Sequence, residues 1–229
     1  ALLPTPFPPL PASPRRMSPA LVEALADLHA IDYEAIGLGD LGKPAGFIER
    51  QIEGWYKRWQ AAKTEDLEDM TAVYRWLGDN LPDTMAAALV HNDYKLDNVM
   101  LAATDPGRVV AIFDWDMCTL GDPLSDLGAL LCYWSEPSDP PYFQQMAMMP
   151  TGDLGFFTRQ ELVEWYGAKS GRSIADIRFY HTLGLFRLTV IIAQIYLRYA
   201  RGQTQDKRFR AFGPMIPLMA RAARETSSP

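Results

Sequence analysis

His91-Asn92-Asp93-Tyr94-Lys95-Leu96-Asp97-Asn98 is the stretch of sequence that decides the fold. Short apolar runs flank it at 88–90 and 99–102, and a third apolar run at 109–113 follows a Thr-Asp-Pro-Gly turn. Apolar runs separated by polar loops and turn residues predict strand, loop, strand, tight turn and strand. We therefore expect small hairpins that hold the polar loop rigid and carry Asp114 back toward it.

The composition indicates one globular domain without a nucleic-acid partner. The chain has 229 residues, 48% of them hydrophobic, with net charge −6 and a pI near 5.1, so it can bury a sizeable core. Its 28 acidic residues outnumber 22 basic ones, and no long basic run offers a surface for a phosphate backbone. Cys118 and Cys132 lack metal-ligand spacing, and no signal peptide is visible, so we expect a cytoplasmic protein.

Proline content and helical periodicity divide the chain into a linker and a mostly helical domain. Residues 1–17 are proline-rich and predict a linker, after which Ser18 as N-cap and Pro19 would open the first helix. Residues 183–197 are the most apolar window, but polar interruptions favour a core helix over a membrane span. The predicted helices are 18–30, 46–62, 65–79, 122–134, 158–168 capped by Thr158, 173–201 capped by Ser173, and 212–225.

A glycine-rich segment at 37–43 matches two nucleotide-binding patterns in the wrong context. It satisfies Gly-x-Gly-x-x-Gly and the first seven positions of the P-loop pattern. Both patterns need a strand before the loop, whereas this segment follows a predicted helix. Pro44 stands where the P-loop needs a hydroxyl for magnesium. A helix end followed by a turn is the better interpretation.

The spacing His91-x-Asp93-x-Lys95-x-x-Asn98 is that of the protein-kinase catalytic loop. In that loop the aspartate accepts the proton of the substrate hydroxyl, and the asparagine binds a metal ion. Asp114 follows on the next strand, where kinases place a second metal ligand, and Asp116 would share its strand face if the strand continued. The pattern predicts a phosphotransfer centre.

Two further segments extend the match: Ile112-Phe113-Asp114-Trp115-Asp116, and Leu120-Gly121-Asp122-Pro123-Leu124-Ser125-Asp126-Leu127-Gly128. With them the sequence resembles the aminoglycoside phosphotransferase and choline kinase group, and most of all the phosphotransferase domains fused to acyl-CoA dehydrogenases and their free-standing bacterial relatives. The resemblance covers residues 18–229. It implies an α+β, mainly α fold, the large C-terminal lobe of a kinase-like domain, with motifs at 89–128, acceptor-side helices at 158–225 and no nucleotide lobe before them.

The resemblance also implies catalytic and metal-binding roles. Asp93 would be the catalytic base, and Lys95 would face the phosphoryl group transferred from ATP. Asn98 and Asp114 would bind Mg²⁺, with Asp116 as a further candidate ligand.

Other residues near the motif are given supporting roles. The resemblance implies that Asp126 accepts hydrogen bonds from the loop backbone, and His91 is expected to orient the loop. Asn92 stands where aminoglycoside kinases usually have glycine, so this turn must tolerate a left-handed conformation. Asp122 is at least as well explained as the N-cap of a helix. His29 is expected to be a packed, hydrogen-bonded histidine.

The acceptor pocket is predicted from the helices that follow the metal strand. Tyr180, His181 and Arg187 and the 135–157 loop are the candidates, although His181 is better explained as a packed histidine and Arg187 as a structural ion pair. Few acids lie on these helices, so a polycation is a poor fit. An uncharged or anionic hydroxylated small molecule, such as a hydroxy acid or hydroxyacyl thioester, is expected.

The leading hypothesis is therefore an ATP- and Mg²⁺-dependent phosphotransferase acting on a small hydroxylated acceptor. A second hypothesis is a pseudokinase or truncated lobe that binds without catalysing, because no nucleotide-covering lobe precedes the motif. A third is a metal-dependent hydrolase built on Asp93, Asp114 and Asp116. The oligomeric state is not indicated by the sequence.

Overall fold

The computed structural model describes residues 13–83, 86–145, 147–152 and 155–228, and within them the fold is mainly helical with small antiparallel sheets, as predicted. Residues 1–12 of the predicted linker lie outside the described residues. The helices are α1 Ser13–His29, α2 Phe47–Ala62, α3 Glu68–Asp79, α4 Leu124–Tyr133, α5 Pro141–Gln145, α6 Arg159–Ser170, α7 Ile177–Ala200 and α8 Phe212–Ser227. The strands are β1 Ala88–Val90, β2 Val99–Ala102, β3 Asp105–Ile112 and β4 Thr119–Gly121.

The four strands form two separate antiparallel pairs. β2 and β3 make the predicted hairpin, with Val99 opposite Ile112, but register shifts between Met100 and Ala102 let β3 begin at Asp105, inside the predicted turn. β1 pairs with β4, a strand of three residues that is too short to show an alternating pattern and was not predicted. The two ends of loop 91–98 are therefore held by different sheets.

The first helix begins at Ser13, so the prediction that Ser18 caps it is wrong. Pro19 lies inside α1. The Ser18 hydroxyl donates to the carbonyl of Pro14 at 3.0 Å and accepts the amide of Phe157 at 3.0 Å. A long-range contact, which local sequence cannot reveal, thus decides what this serine does.

The glycine-rich segment at 37–43 lies between α1 and α2, and α1 is the element that precedes it in the described chain. Gly37 takes a left-handed conformation, with φ of +78°, in a turn. A Cβ on Gly42 would lie 2.8 Å from the amide nitrogen of Leu120, so this glycine allows the segment to approach β4. The turn conformation accounts for Gly37 and packing accounts for Gly42, whereas a Cβ on Gly39 would meet open space.

The long helix α7 begins at Ile177, so the prediction of a cap at Ser173 is wrong. The Ser173 hydroxyl accepts the amide of Ala175 at 3.4 Å in the preceding turn. Gly202, just beyond the helix, has φ of +71° and fits the predicted end. α7 is long and apolar enough to cross a membrane, but a buried core helix can have the same length and composition. In this fold it packs against α2, α4 and α8.

Two glycines allow the backbones of α4 and α7 to touch. A Cβ on Gly128 would lie 2.4 Å from the carbonyl carbon of Tyr180, and a Cβ on Gly184 would lie 2.6 Å from Sγ of Cys132. Both distances are shorter than real side-chain contacts, so a larger residue would push the helices apart. This close approach places α7 beside loop 91–98.

The segment between α4 and α6 is more ordered than the predicted loop. It contains α5 and a short 3₁₀ helix at Pro150–Gly152. The indole of Trp134 donates to the carbonyl of Phe157 at 2.7 Å, which closes the segment at its base. The capping box between Thr158 and Glu161 at the start of α6 is confirmed.

Candidate active site

Asp126 on α4 binds the first residues of loop 91–98. Its two carboxylate oxygens accept the amides of His91 at 2.6 Å and Asn92 at 2.7 Å, and the side chain is fully buried. One of them also lies 3.2 Å from Nε2 of His29, whose Nδ1 contacts the hydroxyl of Tyr166 at 2.8 Å. These partners offset the cost of burying a carboxylate. His29 is a packed, hydrogen-bonded histidine, as predicted.

Asn92 adopts the left-handed conformation that was expected at this position, where aminoglycoside kinases usually have glycine. Its φ is +63°, and its side-chain amide donates to the carbonyl of Met117 at 3.0 Å. Asparagine tolerates this region better than most residues. The turn therefore forms without glycine.

Asp93 lies next to Lys95 and Asn98, as the motif spacing predicts. Lys95 forms a short ion pair with Oδ2 of Asp93, and the Asn98 side chain donates to that oxygen at 3.0 Å and to the Asp93 carbonyl at 2.8 Å. The side chains of Asp93 and Lys95 are 20% and 18% exposed, so solvent reaches both. Lys95 also lies 5.4 Å from the ring centroid of Tyr133.

His91 connects loop 91–98 to the segment that carries Asp114. Its Nε2 bonds to the carbonyl of Phe113 at 2.8 Å, and its Nδ1 accepts the amide of Asp93 at 3.2 Å. This pattern requires the neutral tautomer with its proton on Nε2. The amide of Phe113 in turn donates to the carbonyl of Asn98 at 2.8 Å. Asp114 is thereby brought close to the loop.

The structure corrects the prediction that Asp116 shares a strand face with Asp114. β3 ends at Ile112, Asp114 has φ of +64°, and Trp115–Met117 forms a 3₁₀ helix. Both aspartates are exposed. Among the described residues, no group of three or more His, Cys, Asp or Glu side chains is placed to hold a metal.

Tyr180 and His181, predicted for the acceptor pocket, occupy different environments on α7. Tyr180 is buried near Asp122, whose carboxylate accepts the amides of Leu124 at 2.9 Å and Ala86 at 3.2 Å. Burial raises the pKa of Asp122, which lies one residue before Pro123, the N-cap of α4, so the prediction that Asp122 is the N-cap is wrong by one position. The Nε2 of His181 is buried with no hydrogen-bond partner in the described part of the chain, and burial lowers the pKa of this histidine to about 3.

Arg187 does not form the ion pair that the sequence favoured, within the residues that the structure describes. It donates a short hydrogen bond to the carbonyl of Asn92, and its guanidinium carbon lies 5.2 Å from the ring centroid of Trp55. Burial lowers the pKa of Arg187, an effect opposed by nearby Tyr133 and acidic groups. The partners of Arg187 are the carbonyl of Asn92 and the ring of Trp55, where a carboxylate was expected.

A small, mostly apolar cavity of about 10 Å³, which has room for about one water molecule, lies beside Asp93 between α4 and α7. Its lining includes Asn92, Asp93, Tyr133, Arg187, Leu188 and Ile191. A second cavity of about 250 Å³ lies under the 135–152 segment, and Met149 in its wall accepts the amide of Leu96 at 3.4 Å through sulfur. Sequence reasoning missed Tyr133 and Trp55, and it included Met149 only as part of the 135–157 loop, because apolar residues at helical or loop positions carry no signal of a site.

Comparison with known proteins supports the fold and the class of this site. The model of the phosphotransferase enzyme family matches residues 6–159. A solved structure from Ralstonia eutropha JMP134, named as a putative aminoglycoside phosphotransferase, superposes with a TM-score of 0.83 at 32% identity, over 98% of this chain and 68% of that one. A choline/ethanolamine kinase family protein from Mesorhizobium loti shares the fold, with a TM-score of 0.55 at 19% identity over 92% of this chain and 63% of that one.

Longer proteins contain a related segment. Acyl-CoA dehydrogenase family member 11 of Pongo abelii is 30% identical over 95% of this chain, which corresponds to 28% of that protein. Acyl-CoA dehydrogenase family member 10 of Mus musculus is 30% identical over 89% of this chain and 19% of that protein. The chain thus spans 28% and 19% of the length of these two relatives. The family match, the structural similarity and the geometry of loop 91–98 agree, and this chain belongs to the phosphotransferase enzyme family.

Proposed function

We propose that this chain is the large lobe of a kinase-like enzyme that transfers the γ-phosphate of ATP to a hydroxyl of a small molecule. The observation that carries the proposal is the partly exposed Asp93 carboxylate, which is bound by Lys95 and Asn98 at the mouth of a cavity. Membership of the family supports the reaction class. Positioning and charge stabilisation account for most of the catalysis in phosphoryl transfer, and a braced loop provides both.

Asn98 and Asp114 would hold Mg²⁺ together with the phosphates of ATP. Within the described part of the chain, the Asn98 amide donates hydrogen bonds while its oxygen accepts none, and the Asp114 carboxylate accepts none either. Amide and carboxylate oxygens without other partners fit the preference of Mg²⁺ for hard oxygen ligands. When bound, the metal would neutralise charge on the transferred group.

Asp93 would accept the proton of the acceptor hydroxyl. Its Oδ2 is bound by both Lys95 and Asn98 in this structure. The flexible stem of a lysine would allow Lys95 to turn toward phosphoryl oxygens, while Asn98 keeps the carboxylate oriented. Asp93 would then have an oxygen available for the hydroxyl, at the mouth of the cavity.

The cavity beside Asp93 favours an uncharged or anionic acceptor. Its wall is formed largely by Tyr133, Leu188 and Ile191, and Arg187 is its cation. Among the described residues, no carboxylate besides Asp93 lines it, so a polycationic aminoglycoside would lack partners. The chemistry of this lining suits a hydroxy acid or hydroxyacyl thioester, in agreement with the similarity to the dehydrogenase-fused domains, and the cavity must widen from about 10 Å³ to admit either.

The test is an ATP-dependent phosphorylation assay of the full-length protein with hydroxy acids and with aminoglycosides. We expect transfer to the hydroxy acids, and a loss of about 10²-fold or more in kcat for Asp93→Asn with an unchanged melting temperature. Asp97→Asn is a matched control, because Asp97 is exposed in the same loop. Efficient phosphorylation of aminoglycosides, or equal kcat for Asp93→Asn and Asp97→Asn, would contradict the proposal. Binding of ATP without turnover would instead favour a pseudokinase.

A further inference from the structure

Asn92 is fixed by partners on three sides. Its amide is bound by Asp126 of α4, its side chain by the carbonyl of Met117, and its carbonyl by Arg187 of α7. The residue has φ of +63°, a conformation that asparagine tolerates better than most residues but that costs it more free energy than glycine. Arg187 therefore binds the residue at which the backbone of loop 91–98 is left-handed.

The peptide group between Asn92 and Asp93 is held at both of its polar atoms. Its carbonyl accepts from Arg187, and its N–H, which belongs to Asp93, donates to Nδ1 of His91 at 3.2 Å. With both atoms bound, rotation of this peptide plane would break two hydrogen bonds. The direction in which the Asp93 side chain leaves the backbone depends on that plane.

We propose that Arg187 is a positioning residue, which orients the Asp93 carboxylate by holding the carbonyl of Asn92. The proposal rests on the proposed function for the meaning of Asp93, but the contact between α7 and the loop can be tested without activity. It differs from the role of an acceptor anchor, which would require the guanidinium to bind the substrate directly.

Arginine suits this task better than lysine. The planar guanidinium packs on the indole of Trp55, with 5.2 Å between the guanidinium carbon and the ring centroid, while one of its nitrogens donates to the carbonyl. The same nitrogen lies 3.6 Å from the sulfur of Met117. A lysine ammonium could reach the carbonyl but has no flat face to pack on the ring. The stack fixes the direction of the donor.

Steady-state kinetics of the full-length protein separates positioning from anchoring. For Arg187→Met we expect kcat to fall about 10-fold or more with KM for an uncharged hydroxylated acceptor unchanged, and Arg187→Lys should recover part of the loss. Arg178→Met is the control, since Arg178 is on the same helix and lies 5.7 Å from the ring centroid of Trp76, without contact to the loop. A rise in KM at unchanged kcat would overturn the proposal.

The Asn92→Gly variant tests whether the effect of Arg187 depends on the left-handed conformation of Asn92. Glycine adopts the left-handed conformation without steric cost, so the loss caused by Arg187→Met should be several-fold smaller when combined with Asn92→Gly. Equal fold losses in both backgrounds would show that Arg187 acts elsewhere.

Hydrogen exchange gives a result even if the protein transfers no phosphate. In Arg187→Met the amides of Asn92 and Asp93 should exchange about 10-fold faster than in the wild type, whereas Arg178→Met should leave them unchanged. Arg187→Lys provides the same comparison if the methionine variant does not fold. Unchanged exchange in folded Arg187 variants would refute the positioning role, while faster exchange without any kinase activity would refute only the proposed function.

Discussion

Removing the carboxylate of Asp126 should destabilise the protein strongly. Asp126→Ala would leave the buried amides of His91 and Asn92 without the acceptor that they contact at 2.6 and 2.7 Å. A hydrogen bond to a charged group contributes about 1.5–3 kcal/mol, so the loss of two amounts to about 3–6 kcal/mol. That is a large part of the roughly 5–15 kcal/mol by which a domain is stable.

Thermal and urea unfolding at neutral pH measure this loss. Each kcal/mol shifts the melting temperature of a chain of this size by about 2–4 °C, so Asp126→Ala should melt on the order of 10 °C lower. Asp32→Ala is a matched control, because exposed Asp32 accepts one backbone amide, that of Ala35, at 3.0 Å, and a loss of about 0.5 kcal/mol is expected. If Asp126→Ala melted like Asp32→Ala, the carboxylate would not support the loop.

Three further predictions follow from packing, burial and the proposed metal ligands. Gly128→Ala should cost about 1–3 kcal/mol by forcing α4 from α7, whereas Gly78→Ala, with open space at its Cβ, should be neutral or stabilising in urea unfolding. Burial lowers the pKa of His181 from 6.5 to about 3 in the folded protein, so the unfolded state takes up a proton first as the pH falls. The free energy of unfolding should therefore decrease by up to about 1.4 kcal/mol per pH unit between about pH 6.5 and pH 3. His181→Leu should reduce this decrease, as measured by unfolding at several pH values. Titration calorimetry should show little heat with Mg²⁺ alone, because two protein ligands leave most of the metal shell to water; tight binding without nucleotide would contradict the proposed site.

The parts of the fold that the sequence predicted are those encoded by local pattern. The helices with a clear apolar stripe, the β2–β3 hairpin and the capping box at Thr158 depend on neighbours within a few residues, so periodicity and turn chemistry reveal them. The start of α1 and the strand β4 depend on distant partners. Ser18 bonds to Phe157, and β4 exists because it pairs with β1. No local window contains that information.

For the candidate site, the motif predicted which residues meet but not what holds them. The spacing from Asp93 to Asn98 brings the side chains together, whereas the contact between Met149 and Leu96 and the bond from Arg187 to Asn92 join segments far apart in the chain. The sequence could show only that Arg187 needed a polar partner. Because a backbone carbonyl has no sequence signature, the expectation of an ion pair was wrong.

Within the described residues, the non-glycine residues with positive φ are Asn92 and Asp114: Asn92 lies in loop 91–98, and Asp114 follows Phe113, which is hydrogen-bonded to that loop. Left-handed backbone costs free energy in a residue with a side chain, so two such residues at one site indicate that tertiary contacts impose the geometry. His91 connects them. Its backbone amide donates to Asp126, and its side chain contacts the carbonyl of Phe113, the residue before Asp114. The proposed base and the proposed metal ligand are therefore set by one continuous network. A change at the buried end of that network, at Asp126, should displace Asp93 and Asp114 together.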